Sequence, residues 1–377
     1  MKKPSICFVG LSNLPVLAPE YGHLGVGGAQ VQQALLARAL VRRGYRVAMV
    51  VADYGQADGA VWHGVTTYKA YRPTAGLPVL RFAYPRWSKV WAAMRRANAD
   101  IYYCSCADML VAELVLFGRR HGRKVIFRVA SDSDCDPKQL LVRYWRDKQL
   151  YAYGLRRADA VLAQTATQQE KLLKHYHRKS QIVPSLADPG APLRALADRD
   201  IDALWVSNIQ PLKRADLLMI VANESPQCAV HMIGGVMSSH EILFNEIRQA
   251  VTKLPNLSFH GSVSYHEIQP YFSRARVLLN TSDTEGFPNS YLQAWANGTP
   301  VVAFHDPGGV IAREGLGVVA DSVAAMVRAL REFADTTRWH KVSARCRAFM
   351  ENHYGDDSIV SVYEDMLKRV QGNGLRA

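Results

Sequence analysis

The feature that most constrains this chain is a repeated alternation of short apolar runs with longer amphipathic ones, interrupted once by a proline-rich stretch. It begins with Ser5 to Val9, Ala29 to Arg43 and Arg46 to Val51, with Gly44 where a helix would stop. It continues through 101–103, 109–120, 124–129, 138–157, 160–163, 168–175 and 181–183. Short runs that are apolar on both faces and separated by helix-length segments predict a parallel sheet covered by helices. The stretch from Pro184 to Arg199 contains Pro184, Pro189, Gly190 and Pro192 and has no apolar period, so it reads as a linker. The alternation then restarts with runs at 203–206, 215–222, 229–233, 241–252, 257–259, 277–279, 290–296 and 300–303. Helical segments at 322–333, 337–350 and 358–370 close the chain.

The expected fold class is therefore α/β, with two doubly wound Rossmann-like domains. We place the first at 1–185, a linker at 186–200, the second at 201–355 and a crossover helix at 356–377 that packs back on the first domain. A chain of 377 residues with 49% apolar composition is long enough for two cores. Open parallel sheets bind ligands outside the carboxyl ends of their strands, so two such domains predict a central cleft, with function in the loops that follow strands.

Several classes lose ground on composition. No apolar run approaches the roughly 20 residues needed to cross a bilayer. The start Met1-Lys2-Lys3-Pro4 leads into a short run ending at Gly10, which reads as a first strand in a cytoplasmic protein rather than a signal segment. The six cysteines form no C-x-x-C pair and have no histidines at zinc spacing. Up to Gly190 there are 28 Lys/Arg against 13 Asp/Glu, and afterwards 18 against 20. This asymmetry suggests that the first half meets something anionic: a phosphate-bearing substrate, the inner face of a membrane or nucleic acid. A generically basic soluble protein is the alternative. Nucleic acid ranks last, because no basic helix, zinc module or aromatic RNP-like strand is visible.

Three loops carry candidate chemistry. The first ends Gly25-Val26-Gly27-Gly28-Ala29 at a helix start, where glycines let a phosphate approach backbone amides. Its spacing is neither G-x-G-x-x-G nor a P-loop, which weakens oxidoreductase and NTPase readings. The second loop, Asp132-Ser133-Asp134, follows the strand at 124–129. It could hold a divalent metal on a diphosphate, but such a short motif is common as loop and cap chemistry. The third is Asn280-Thr281-Ser282-Asp283-Thr284-Glu285-Gly286-Phe287-Pro288-Asn289, running from a strand into a helix. Here one carboxylate can accept from a pair of sugar hydroxyls beside helix amides suited to a diphosphate, with Gln293 two turns on placed for a ribose.

The string from Glu285 to Val302, including Gln293-Ala294-Trp295-Ala296-Asn297-Gly298-Thr299-Pro300, resembles the E-x7-E region of retaining glycosyltransferase family 4, a GT-B family. Other landmarks follow in order: Gly27-Gly28-Ala29-Gln30, the segment from Ala158 to Thr165, and Trp205-Val206-Ser207-Asn208 leading to Lys213-Arg214. The resemblance implies a UDP- or GDP-sugar donor, no metal or other cofactor, and a glycan or lipid-linked acceptor in polysaccharide assembly. It implies that Lys213 contacts the donor diphosphate, that Glu285 with Gly286, Phe287, Pro288 and Asn289 holds the donor sugar, and that Gln293 holds the ribose. Lys213 and Glu285 are thus the expected catalytic pair. Gly27, Gly28, Ala29, Asn208 and Arg214 complete the expected donor set, and Arg128, Asp132 and Asp134 the acceptor side. Three departures stand out. Gln293 replaces the second glutamate, Asn208 replaces the usual diphosphate arginine, and 128–134 lacks the usual histidine. A non-catalytic glycosyltransferase-like partner, or a sugar-nucleotide epimerase or phosphorylase on the same architecture, are the alternatives.

Overall fold

The computed structural model describes residues 3–77, 80–236 and 240–372, with the side chains of 356 and 357 left aside. Met1, Lys2 and 373–377, which belong to the expected first domain and crossover helix, lie outside the described residues. The chain divides into two compact units. Unit 1 comprises 1–21, 28–186 and 356–377, and unit 2 comprises 22–27 and 187–355.

Unit 1 is built on an eight-stranded sheet. Its strands are β1 (Ile6–Val9), β2 (Val47–Val51), β3 (Val61–Trp62), β4 (Val65–Lys69), β5 (Ile101–Ser105), β6 (Lys124–Arg128), β7 (Ala160–Ala163) and β8 (Gln181–Ile182). The order is β3-β4-β2-β1-β5-β6-β7-β8, parallel except for the antiparallel pair of β3 and β4. Sequence patterning missed that hairpin because β3 is two residues long and its turn is His63-Gly64 rather than Asn-Gly. Both turn residues have positive φ (51° and 79°), the geometry of a two-residue hairpin that matches strand twist. The helix expected over 138–157 begins only at Trp145, and the helix Ser88–Ala97 was not anticipated. The C-terminal helix Asp356–Gly372 clusters with unit 1, where it buries Ile359, Val360, Tyr363, Met366, Leu367 and Val370. The Tyr363 hydroxyl donates to Pro184 O at 3.2 Å, and Glu364 meets Lys3 and Arg43 at 3.7 and 3.6 Å.

One buried acid in unit 1 lies on a helix, outside every strand-end loop. Glu113, on the helix Leu110–His121, is 1% exposed, and its Oε1 has no hydrogen-bond partner. Burial, reinforced by Asp108, raises its pKa to about 9, so the folded protein holds a proton that the unfolded chain releases near pH 4.3. A raised folded pKa gives stability that is full below the unfolded value and lost as pH climbs towards 9. We therefore expect urea unfolding to show the wild type losing on the order of 4 kcal/mol more than Glu113→Gln between pH 5 and pH 8. Parallel pH profiles for the two proteins would contradict the assignment.

Unit 2 carries a wholly parallel sheet of six strands: β9 (Ile201–Val206), β10 (Val230–Ile233), β11 (Leu257–Phe259), β12 (Ala275–Asn280), β13 (Val301–Ala303) and β14 (Gly317–Val319). The order is β11-β10-β9-β12-β13-β14, so successive strands add outward from β9 on one side and from β12 on the other. The reversal lies between β9 and β12, the topological switch point where open α/β sheets leave a crevice at their carboxyl edge. The segment expected as linker is not slack, since from Ala187 onwards it packs on unit 2. Gly190 lies so close to the end of the helix Asn289–Ala296 that a Cβ there would sit 1.9 Å from Ala296 O, a contact only glycine permits. Arg199, 1% exposed, is the pin of this segment. It donates to the carbonyls of Arg194, Ala275 and Asn297 and to Thr299 Oγ1, and lies 4.7 Å from the Trp339 ring centroid.

Candidate functional site

The switch point brings together two residues 72 positions apart. β9 is followed by a short turn, Pro211–Lys213, and β12 runs directly into the loop of Glu285. The two connections are tied by backbone and side chain. Asp283 N donates to Leu212 O at 3.0 Å, Thr281 Oγ1 donates to Lys213 O at 2.8 Å, and the buried Trp205 indole donates to Thr281 Oγ1 at 3.0 Å. Thr281 is fully buried, so this chain of bonds fixes the carbonyl of Lys213 and hence the root of its side chain.

Lys213 Nζ lies 2.6 Å from Glu285 Oε1, with side-chain exposures of only 16% and 12%. Ser282 Oγ donates to the same oxygen at 2.7 Å and Asn280 Nδ2 at 3.3 Å. Three donors therefore converge on one carboxylate oxygen, while Oε2 makes no hydrogen bond to a described residue. A partly desolvated, charge-assisted cluster of this kind is rigid before any ligand arrives, and it leaves one acceptor atom available. Asn280 and Ser282 went unnoticed in the sequence, although their spacing of five and three residues before Glu285 in one tight loop was the available signal.

Beyond Glu285 the chain enters the helix Asn289–Ala296 at Pro288, which makes no side-chain cap bond, and Tyr291 N donates to Pro288 O at 3.1 Å in the first turn. The helix is held by an aromatic cluster in which Trp295 packs edge-on against Phe287, Tyr291 and Phe349, and by the Tyr291 hydroxyl donating to His305 O at 2.9 Å. Gly286 and Pro288 are buried, and Phe287 and Asn289 are half-buried. Gln293 is also half-buried, and its Nε2 is enclosed without a hydrogen-bond partner.

The other expected donor residues fare unequally. Arg214, at φ 50°, makes bonds from Nε and Nη2 to Asp216 and one from Nη1 to Asp283, so its charge is already matched. Lys213 is thus the cation the fold delivers to Glu285. Asn208 Nδ2 donates to Val26 O at 2.9 Å, both residues lying in unit 2. Gly27 falls in unit 2 as well, whereas Gly28 and Ala29 open the helix Gly28–Arg42 of unit 1.

On the expected acceptor side, Arg128 and Asp134 are buried and Asp132 is paired. Arg128 ends β6 at 3% exposure and donates to Ser185 Oγ at 2.8 Å, so it is a buried fastener. Asp134 is a capping residue. It accepts from Ala130 N and Ser131 N at 2.8 and 3.2 Å, and burial raises its pKa to about 6 despite those bonds. Asp132 is held by Lys171 at 2.9 Å and Gln168 at 3.0 Å. The Asp-Ser-Asp string folds into a 3-10 turn whose capping box uses the Asp134 carboxylate. Among the described residues no group of three or more His, Cys, Asp or Glu is arranged to hold a metal ion. None of the helices searched is long and apolar enough to cross a membrane.

Residues 201–336 match the family described as Glycosyl transferases group 1, and residues 26–189 match Glycosyltransferase Family 4. The chain is 27% identical over 238 residues to the D-inositol 3-phosphate glycosyltransferase of Streptomyces avermitilis, covering 55% of this chain and 51% of that protein. To the Frankia alni protein of the same name it is 33% identical over 172 residues, covering 39% and 40%. The chain thus spans about half the length of the curated relatives it matches. Among solved structures, the sucrose-phosphate synthase of Thermosynechococcus elongatus aligns with a TM-score of 0.77 at 17% identity, over 98% of this chain and 99% of that one. Anabaena HepE in complex with UDP and glucose gives 0.74 at 15%, over 97% and 99%. These structures share the fold, two parallel-sheet α/β units of GT-B type. Each half of the chain thus matches a glycosyltransferase family, Glycosyltransferase Family 4 in the first and Glycosyl transferases group 1 in the second, and the loop of Glu285 lies at the switch point of unit 2.

Proposed function

We propose that this chain is an enzyme that moves a sugar from a nucleotide-diphosphate donor, a UDP- or GDP-sugar, to a hydroxyl of a glycan or lipid-linked acceptor in polysaccharide assembly. The observation that carries the reading is the Lys213–Glu285 pair, held at the switch point beside the start of the helix Asn289–Ala296. When donor enters, its diphosphate competes for Lys213, and Glu285 turns from ion-pair partner to acceptor for the sugar hydroxyls. Gln293 lies along the same helix where a ribose would follow. HepE, whose complex contains UDP and glucose, and the inositol-phosphate glycosyltransferases are the relatives that support a nucleotide-sugar donor.

In the reaction the bond from the sugar's anomeric carbon to the diphosphate oxygen breaks and one to the acceptor oxygen forms. The acceptor's proton passes to the departing phosphate on the same face, which retains configuration. Lys213 and the helix amides balance the charge developing on the diphosphate as an oxocarbenium-like sugar forms, so no metal is needed.

A panel of UDP- and GDP-sugars, read by nucleotide release with and without chelator, tests this directly. One donor should support turnover that EDTA does not change. With that donor, Glu285→Ala should lower kcat roughly 10²-fold while nucleotide diphosphate binding persists, because Lys213 is freed rather than lost. Wild-type turnover in the variant, or no release with any donor, would favour a non-catalytic protein on this fold.

A further inference from the structure

We propose that the acceptor is an uncharged sugar, selected against phosphorylated ones by Tyr71, Arg86, Asp108 and Glu113 at the carboxyl edge of the unit 1 sheet. The inference rests on the sugar-transfer reading above and names the acceptor class that goes with it. Arg128, Asp132 and Asp134 are engaged within the fold, so the acceptor must be met elsewhere along that edge. Backbone bonds tie the loops after β1, β2 and β4 together: Ala52 N donates to Leu11 O and Asp53 N to Tyr71 O, both at 2.9 Å. Asp108 stands in the loop after β5, and Glu113 lies in the first turn of the helix Leu110–His121 that follows. The Tyr71 hydroxyl feels Arg86, Asp108 and Glu113 electrostatically, so the four groups share one neighbourhood.

Bonding capacity that the fold leaves unused sets this cluster apart. Glu113 Oε1 and Arg86 Nε are enclosed and have no hydrogen-bond partner. Arg86 is close enough to Asp108 to favour its ionised form, yet it makes no ion pair among the described residues. The Tyr71 hydroxyl makes no hydrogen bond among them either. Asp108 accepts from Met109 N at 2.5 Å and is otherwise exposed. Enclosed polar groups are normally paired, and several unpaired ones together mark a place where a ligand supplies the bonds. Their chemistry selects that ligand. Glu113 keeps its proton up to about pH 9, so it donates through O–H, as Tyr71 does through its hydroxyl and Arg86 through N–H, while Asp108 accepts. A sugar hydroxyl both donates and accepts without charge, so it matches each of them. Arg86 and Asp108 leave the cluster near neutrality, and a phosphate would have to shed water beside the Asp108 carboxylate.

The test is saturation-transfer NMR on the full chain, titrated without nucleotide with methyl glucoside, methyl mannoside and methyl galactoside, and with glucose 6-phosphate as the charged probe. At least one glycoside should bind, and glucose 6-phosphate should bind about ten-fold more weakly. Tyr71→Phe, Arg86→Gln and Asp108→Asn should each weaken the glycoside about ten-fold, the effect of one lost hydrogen bond. Asp108→Asn should also narrow the gap between glycoside and phosphate, which a merely structural role would not do. Glu113→Leu should weaken the glycoside likewise, and Glu113→Gln, which keeps a donor and an acceptor, should rescue it. Thermal unfolding verifies that each variant folds. Nucleotide release from a donor with no glycoside bound would overturn the proposal alone. Glycoside binding with no release from any donor would instead overturn the sugar-transfer reading, and the acceptor role with it. Tighter binding of glucose 6-phosphate than of every glycoside, or Tyr71→Phe and Asp108→Asn that bind the glycoside like wild type, would also overturn the proposal.

Discussion

Replacing Lys213 by alanine is expected to lower turnover roughly 10²–10³-fold and to weaken nucleotide diphosphate binding at the same time. Two losses coincide. The site loses its cation, since Arg214 is committed to Asp216 and Asp283 and position 208 is an asparagine. Glu285 keeps Ser282 and Asn280 but is left as an uncompensated, partly buried charge beside the place where a diphosphate must sit. The two single variants should therefore part on the binding axis, Lys213→Ala losing nucleotide affinity and Glu285→Ala keeping it. Adding Glu285→Ala to Lys213→Ala should restore part of that affinity by removing the repelling charge, a coupling expected of groups in contact. Isothermal titration with UDP and GDP and steady-state nucleotide release measure both effects. Turnover at the wild-type level in Lys213→Ala would sink the assignment outright.

Arg199→Met is expected to destabilise unit 2 by about 3–5 kcal/mol, the scale for breaking a buried, fully bonded charge. Burial already lowers the Arg199 pKa to about 10, and no carboxylate offsets it, so its place is held by carbonyls and the Trp339 face. Methionine would fill part of the volume but leave three carbonyls and Thr299 Oγ1 without that donor. Those acceptors sit in the segment before β9, at the start of β12 and in the turn after the helix Asn289–Ala296, so the damage reaches the frame of the candidate site. Limited proteolysis and chemical denaturation should show unit 2 opening earlier while unit 1 is unaffected. Unchanged stability would mean that the segment 187–200 is fastened by something else.

Much of this was legible in the sequence, for identifiable reasons. Strands buried on both faces show as short apolar runs, Ile6–Val9 in β1, Val125 to Phe127 in β6 and Val277 to Leu279 in β12, so the two-sheet α/β plan follows from composition along the chain. Elements whose identity depends on a partner were not legible. β3 is two residues long and exists only because β4 lies beside it, and the helix expected at 138–157 starts late because Leu140 and Val142 pack on the core while Leu141 and Tyr144 face outward, an alternation that a helix does not give.

The site divides along the same line. Sequence alone determined that a carboxylate followed by Gly-Phe-Pro-Asn stands at a strand-to-helix turn, and that a lysine follows the first strand of the second half, because both motifs are local. Only the tertiary structure decided that they meet. Strand order places β9 against β12 at the reversal of the sheet, and the Trp205–Thr281–Lys213 chain of bonds then fixes the lysine 2.6 Å from Glu285. The same burial that assembles this pair withdraws Arg128 and Asp134 from solvent. A charged residue after a strand can face a ligand or hold up the loop, and its neighbours in space, not in sequence, determine which.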